Sequence, residues 1–440
     1  MPDRLEDAWN NLPVLAQDIA VLAGLVAPLV VIGLIIVRRL NPTPLAGAML
    51  WRYRFSNALF VTLIAISVGI GVGLISQERA LRTGTANAAD KFDLIIAAPG
   101  SEMTMMLAAV YLQPSDVPLL DGQTYSEIAN HENVDLAAPI AFGDSYRGAP
   151  VVGTTADFID HLTGGLEEGE IFTAHTHAVS GALAPAQIGD TFEPAHGHGA
   201  AAEQGAHAGV TYEVVGRMPP TGSPWDRAIL VPVEAVWDVH GLAIGHAPER
   251  ADQIGPPFDA EYFPGTPAVL VRAEALWANY SLRSEFTRGD TMAFFPGAVL
   301  AQLHSVMGDV RQVMSIMAIV TQILVAASVL TGLVILMRLF ARRLALLRAL
   351  GAPDRYVFAV VWSYAGALIG AGALLGLVLG YGAARVISRI ITQRTDILVQ
   401  ASVGWPEIHL VAGFVAITML LALAPAFMVL SRNIITDLRA

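Results

Sequence analysis

The chain has 440 residues, 54% of them hydrophobic and only 15% charged, with a formal net charge of −12 and no cysteine. Such a balance lies outside the usual soluble range and reads as a membrane protein. The acidity gives no signal for nucleic acid or anionic lipid as a partner, and the missing cysteines exclude disulfides and thiolate metal sites.

Five apolar runs free of Asp, Glu, Lys and Arg occupy residues 19–37, 55–77, 312–337, 356–384 and 410–431. Each is long enough as a helix to cross the roughly 30 Å hydrocarbon core, which needs about 20 residues. The first run is read as a retained helix. Asp3, Glu6, Asp7 and Asp18 precede it against Arg4 alone, and Arg38 and Arg39 follow it, whereas a secretory signal has a basic lead and a small-residue cleavage site. A short basic turn with Trp51, Arg52, Tyr53 and Arg54 then leads into the second run.

Residues 78–310 read as a mixed domain. Short β-rich runs bounded by Gly, Pro and Asp predict strands at 92–98, 189–193, 210–215, 228–233 and 268–271. Helical patterns fall at 102–111, 233–240 and 273–288, and an amphipathic stretch at 298–311 leads without a break into the third run. Residues 180–209, rich in Ala, Gly, Pro and His, predict a loop or flap. After the third run, residues 340–356 carry apolar positions at helical spacing with arginines between them, Gly351 at the helix end and Pro353 beyond it. The fold class expected is therefore an α-helical transmembrane bundle of about five helices with an inserted mixed α+β extracytoplasmic domain. Its parts are 1–77, 78–310 and 311–440.

Short cytoplasmic segments carry an excess of Lys and Arg. Arg38, Arg39, Arg52 and Arg54, then Arg338, Arg342, Arg343, Arg348 and Arg355, and finally Arg432 and Arg439 mark three inner segments, while Arg385, Arg389 and Arg394 run against the rule. On balance the N-terminus and the large domain lie outside and the C-terminus inside. The two inner segments, around Trp51, Arg52 and Arg54 and around Arg342, Arg343, Arg348, Leu350 and Gly351, fit interfacial helices whose arginines meet lipid phosphates; they also fit a docking surface for a cytosolic partner.

The stretch Arg-Arg-Leu-Ala-Leu-Leu-Arg-Ala-Leu-Gly-Ala at 342–352 resembles the cytoplasmic coupling segment of the MacB/FtsX family of ABC transporter permeases, which includes LolC and LolE. The family pattern has a Glu before Arg-Ala-Leu-Gly-Ala, and residues 345–347 lack it. Residues 51–73 resemble the family's first span, and Phe92-Asp-Leu-Ile-Ile-Ala-Ala-Pro-Gly-Ser101 and Pro220-Thr-Gly-Ser-Pro-Trp-Asp-Arg227 are similar to a subgroup seen in zinc-linked systems. The helix at 19–37 is an addition to the usual four-span pattern. The resemblance implies a multi-pass protein of the bacterial inner membrane, with a periplasmic domain, lipid around it and a second copy of the permease beside it. It further implies a cytosolic ABC ATPase carrying ATP and Mg, and ATP-driven movement passed to the outer domain by mechanotransmission. A periplasmic substrate-binding protein or a lipoprotein is the expected outer partner. No cofactor is expected in the chain beyond zinc.

Independently of the family, Lys91 is the only lysine and follows Asp90, so Gly-x-x-x-x-Gly-Lys-[Ser/Thr] cannot occur and ATP hydrolysis needs another subunit. No enzymatic activity is expected of this chain.

Ten of the eleven histidines fall in 78–310, densest at His175, His177, His196, His198, His207, His240 and His246. His175-x-His177 and His196-x-His198 would set two rings on one side of an extended strand, so His175, His177, His196, His198 and His207 are the candidate ligands for zinc or another divalent metal. A solvated loop and a pH sensor are the competing readings. Met103, Met105 and Met106 read as packing, and Asp226 with Arg227 as a structural turn and ion pair. Extraction of lipid or lipoprotein from the outer leaflet, or regulation of a periplasmic hydrolase as in FtsX, remain functional alternatives, and a membrane enzyme with a His-bound metal is a further one.

Overall fold

A computed structural model describes residues 9–38, 40–113, 117–197, 207 and 209–430. Among the described residues the first long helices are α1 (Val14–Val37), α2 (Thr43–Arg52) and α3 (Arg54–Ala89). Next come β1 (Leu94–Ala97), α4 (Glu102–Ala109), α5 (Gly122–Ala129), β2 (Val134–Pro139), β3 (Ala141–Tyr146), β4 (Ala149–Thr154) and α6 (Ala156–Thr163). Short strands β5 (Glu168–Gly169), β6 (His177–Ser180), β7 (Thr191–Phe192) and β8 (Ala195–His196) precede β9 (Tyr212–Arg217), β10 (Ile229–Pro232) and α7 (Val233–Val239). The chain closes with β11 (Ala268–Ala273), α8 (Leu276–Glu285), β12 (Met292–Phe294), α9 (Pro296–Ala349), α10 (Asp354–Thr395), α11 (Trp405–Leu421) and α12 (Leu423–Leu430).

Two compact units result. A helical unit comprises Met1–Ala80, Gly308–Arg389 and Gln400–Ala440, and a mixed unit comprises Leu81–Met307 with Ile390–Val399. The short segment 390–399 thus joins the mixed unit although its sequence lies beyond the fourth apolar run.

Among the described residues of the helical unit, five helices are long and apolar enough to cross a membrane. Their outer faces carry exposed Ile35, Ile66, Ile319, Val378 and Ile417, the kind of surface that lipid and not water would cover. Where α3 meets α10 the side chains shrink. A Cβ on Gly376 would lie 2.8 Å from the Ala65 carbonyl oxygen, and one on Gly380 only 2.5 Å from that of Gly69. Glycines at 372, 376 and 380 repeat every fourth residue and so line one helix face, letting two backbones approach where apolar side chains alone provide little driving force. Polar contacts pin the same unit. The buried Glu407 carboxylate accepts from Arg79 Nη1 at 2.8 Å and from the Gly404 amide at 2.9 Å.

The mixed unit holds two sheets. One has the order β12-β1-β11-β2, all neighbours antiparallel, and Leu94, Ile95, Ile96 and Ala97 of β1 are buried together. The other has the order β5-β9-β6-β10-β4-β3-β8, with β7 beside β9 and parallel pairs at β4–β10 and β6–β9. Helix α7 lies close on β4 because Gly153 has no side chain; a Cβ there would stand 2.8 Å from Val236. Asp121 caps α5 by accepting from the Thr124 amide at 2.8 Å, which holds its carboxyl below the usual range.

Several expectations shift. The strands predicted at 92–98, 210–215, 228–233 and 268–271 form with moved ends, while β2, β3, β4, β6 and β12 carry no strong alternation and were not foreseen. The stretch 180–209 is not wholly loop, because it contains β7 and β8, which pair with β9 and β3. Residues 340–349 end the 54-residue helix α9 and do not form a separate interfacial helix. The fifth run is two helices, parted at Ala422.

Candidate functional site

Asp144 is the centre of a cluster in the mixed unit. It sits on β3 just after a register irregularity between Ala141 and Asp144, where Gly143 takes a φ of 151°. Such a bulge turns the following side chain away from simple alternation. The register sets Asp144 opposite His196 of β8, and two short bonds lock that pair of strands. The Gly197 amide donates to the Gly143 carbonyl and the Ser145 hydroxyl to the Gly197 carbonyl, each at 2.6 Å.

Three imidazoles converge on one carboxylate oxygen. Asp144 Oδ1 lies 3.0 Å from His207 Nε2, 3.4 Å from His196 Nδ1 and 3.6 Å from His240 Nε2. His196 Nδ1 and His240 Nε2 are 3.4 Å apart. His240 follows the end of α7, and its Nδ1 donates to the Val236 carbonyl at 2.7 Å. That bond fixes the ring with Nε2 facing the cluster. Gly143 makes room for the ring, since a Cβ there would come 3.2 Å from His240 Nε2.

Asp144 is only 1% exposed, and among the described residues its ion-pair partners are these three histidines and no Arg or Lys. The same charge also acts outward. Burial first, and the Asp144 carboxylate second, hold the Tyr212 hydroxyl above its usual pKa.

The sequence-derived ligand set is therefore divided. His196 and His207 join the cluster; His175 and His177 are engaged elsewhere, the first with the Gln253 carbonyl at 3.4 Å and the second with Thr173. His198 lies outside the described residues. His240 had been grouped with the dense histidines but not among the ligands, and Asp144 was missed. No local signal marks Asp144, because it is joined to His196 only through strand pairing.

A second buried pair stands apart. His246 Nε2 lies 3.5 Å from Glu234 Oε1. Burial pushes the Glu234 carboxyl up to about 7, even though it accepts from the Gly255 amide, and burial pushes His246 down.

Asp226 and Arg227 do not pair with each other. Buried Asp226 accepts from the Thr221 amide and hydroxyl at 2.6 Å each and from the Gly222 amide at 2.8 Å, closing the turn. Arg227 meets Asp396 at 2.9 Å within the same unit. Met105 and Met106 are buried packing residues.

In the helical unit the two basic segments come together. Tyr53, directly after α2, packs edge-on to Phe340 of α9 with ring centroids 4.9 Å apart, and Asn57 Nδ2 donates to the Leu50 carbonyl at 2.9 Å. Around that buried contact the candidate coupling residues face outward. Arg52, Arg54, Arg342 and Arg343 are exposed, as are Trp51 (74%) and Leu350 (84%). The Arg54 guanidinium lies over the rings of Trp51 and Phe55 at 5.3 and 5.1 Å. Arg348 is folded back onto Asp354 at 2.7 Å across the turn at Gly351, whose φ of 94° needs glycine.

A family model described as FtsX-like permease C-terminal matches residues 315–434. Among solved structures, the periplasmic region of MacB from Actinobacillus actinomycetemcomitans is similar at 10% identity and a TM-score of 0.31, over 49% of this chain and 95% of that one. No curated protein matches the chain.

Proposed function

We propose that this chain, whose residues 315–434 match the FtsX-like permease C-terminal family model, works as the membrane subunit of an ABC transporter of the MacB/FtsX type whose ATPase is a separate protein. The observation that carries the reading is the joint surface of the two basic segments within the helical unit. Tyr53 and Phe340 hold the segments together while Trp51, Arg52, Arg54, Arg342, Arg343 and Leu350 stay exposed. Exposed aromatic, aliphatic and arginine side chains around a packed support are what a protein partner buries as anchors, and the family assignment makes an ABC ATPase that partner.

Coupling by mechanotransmission is supported by chain continuity. Helices α3, α9 and α10 each contribute residues to both units, so a displacement at the ATPase end has a covalent helical route into the mixed unit. In this reading the chain is multi-pass in the bacterial inner membrane, with the N-terminus and the mixed unit outside. The C-terminus is cytoplasmic, and a second copy completes the permease.

The test is co-expression of the full chain with its P-loop ATPase, followed by purification in detergent and measurement of ATP hydrolysis. Arg342→Glu with Arg343→Glu, or Leu350→Asp, should lower ATPase association at least about tenfold, equivalent to loss of about 1.4 kcal/mol of contact energy. Unchanged association of these folded variants would refute the docking surface.

A further inference from the structure

We propose that Asp144, His196, His207 and His240 form a binding site for one zinc-class divalent cation in the mixed unit. The inference does not depend on the permease reading, since all four residues belong to one compact unit and the argument uses only their geometry.

One potential ligand atom from each residue lies within 4.8 Å of the other three. Four of the six separations are 3.0, 3.4, 3.4 and 3.6 Å. A tetrahedral ion with ligands at roughly 2.0–2.2 Å has ligand atoms about 3.3–3.6 Å apart. Four separations already approach that spacing and the other two lie within 4.8 Å, so an ion would draw His207 closer to the other two rings.

The hydrogen bonding orients the ring. His240 Nδ1 donates to the Val236 carbonyl, which turns Nε2 toward the Asp144 carboxylate and His196 Nδ1. A carboxylate taken almost wholly out of water needs a compensating positive charge, and its ion-pair partners among the described residues are only these imidazoles. The fixed ring of His240 is the arrangement by which an outer hydrogen bond selects the tautomer of a metal-binding histidine.

Ligand chemistry sets the class of ion. Three imidazoles and one carboxylate suit zinc, with copper and nickel as competitors, whereas calcium and magnesium require mostly oxygen ligands. The His196 side chain is 48% exposed and Asp144 1%, so the group opens to solvent on one side and is anchored on the other. An ion there would tie β3, β8, the turn at His207 and the end of α7 to a single point.

The experiment uses the full chain, without a histidine tag, in detergent, stripped of metal by chelator. Cobalt(II) titration reads coordination number through its visible absorption, and competition with zinc(II) reads affinity. One ion per chain with a tetrahedral cobalt spectrum is expected, displaced by one equivalent of zinc. His240→Ala and His207→Ala should each weaken binding beyond the roughly 10–100-fold cost of losing an outer-shell partner, and so should His196→Ala, whose 48% exposed side chain makes it the least disruptive to packing. The double variant His175→Ala with His177→Ala should bind as the parent does. Failure of the parent to bind at micromolar metal, or equal binding by the folded His207→Ala and His240→Ala variants, would overturn the site.

Discussion

Asp144 Oδ1 and His207 Nε2 stand 3.0 Å apart although 63 residues separate them along the chain. Folding thus brings a buried acid to a histidine from a stretch that the sequence reads as a loop. The other long-range links in the mixed unit, and the glycine contacts in the helical one, lead to tests that are independent of metal.

Asp226 carries three donors from Thr221 and Gly222 while buried. Asp226→Ala leaves those groups without their acceptor and should destabilise the chain by about 1–3 kcal/mol. Arg227→Ala, which breaks only the partly exposed pair with Asp396, should cost less than about 1 kcal/mol. Thermal unfolding in detergent, followed by tryptophan fluorescence, separates the two, and similar losses would contradict the assignment of the turn to Asp226.

Gly380 has no room for a side chain, whereas Gly382, two residues on, has nothing within 4 Å of a built Cβ. Gly380→Val should overpack the α3–α10 contact and destabilise by about 1–3 kcal/mol or more. Gly382→Ala should be neutral or stabilising by up to about 1 kcal/mol, the helix-propensity difference. A milder effect at 380 than at 382 would refute the close helix packing.

The buried Glu234 carboxyl releases its proton near pH 7 in the folded chain and near its ordinary 4.5 when unfolded. Between those values the folded state holds a proton that the unfolded state has lost, so this group's contribution to stability falls as pH rises. Glu234→Gln lacks that proton equilibrium. Relative to the parent its stability should rise from about pH 4.5 and level off above about pH 7, by on the order of 3 kcal/mol. Melting curves at pH 5 and pH 8 check this, and a pH-independent difference would show that Glu234 is not held protonated.

The long apolar helices were legible because hydropathy is a local property. Residues 19–37 and 356–384 reveal themselves without knowledge of any neighbour, and the helices there differ from expectation only at their ends. The resemblance at 342–352 pointed to the unit that the family model matches. The contact that supports the proposed coupling surface, Tyr53 on Phe340, joins residues far apart in sequence and left no mark in either segment.

The Asp144 cluster was only half legible for a similar reason. The His-x-His argument assumed extended strands, but β6 begins at His177 and leaves His175 outside it, while His198 lies outside the described residues. Asp144 lies in a strand that alternates poorly, and its side chain is directed by the irregularity at Gly143. Only the β3–β8 register reveals its partner.

The most direct test of coupling uses the absence of native cysteine. Glu261→Cys, at an exposed position of the mixed unit, takes a single spin label per chain, and the label-to-label distance is measured in nanodiscs containing the permease with its ATPase. The account predicts a shifted distance distribution between the nucleotide-free and the ATP–vanadate-trapped states, and loss of that shift when Leu350→Asp is added. Identical distributions in the two states, with the ATPase bound and hydrolysing, would contradict transmission from the ATPase to the mixed unit.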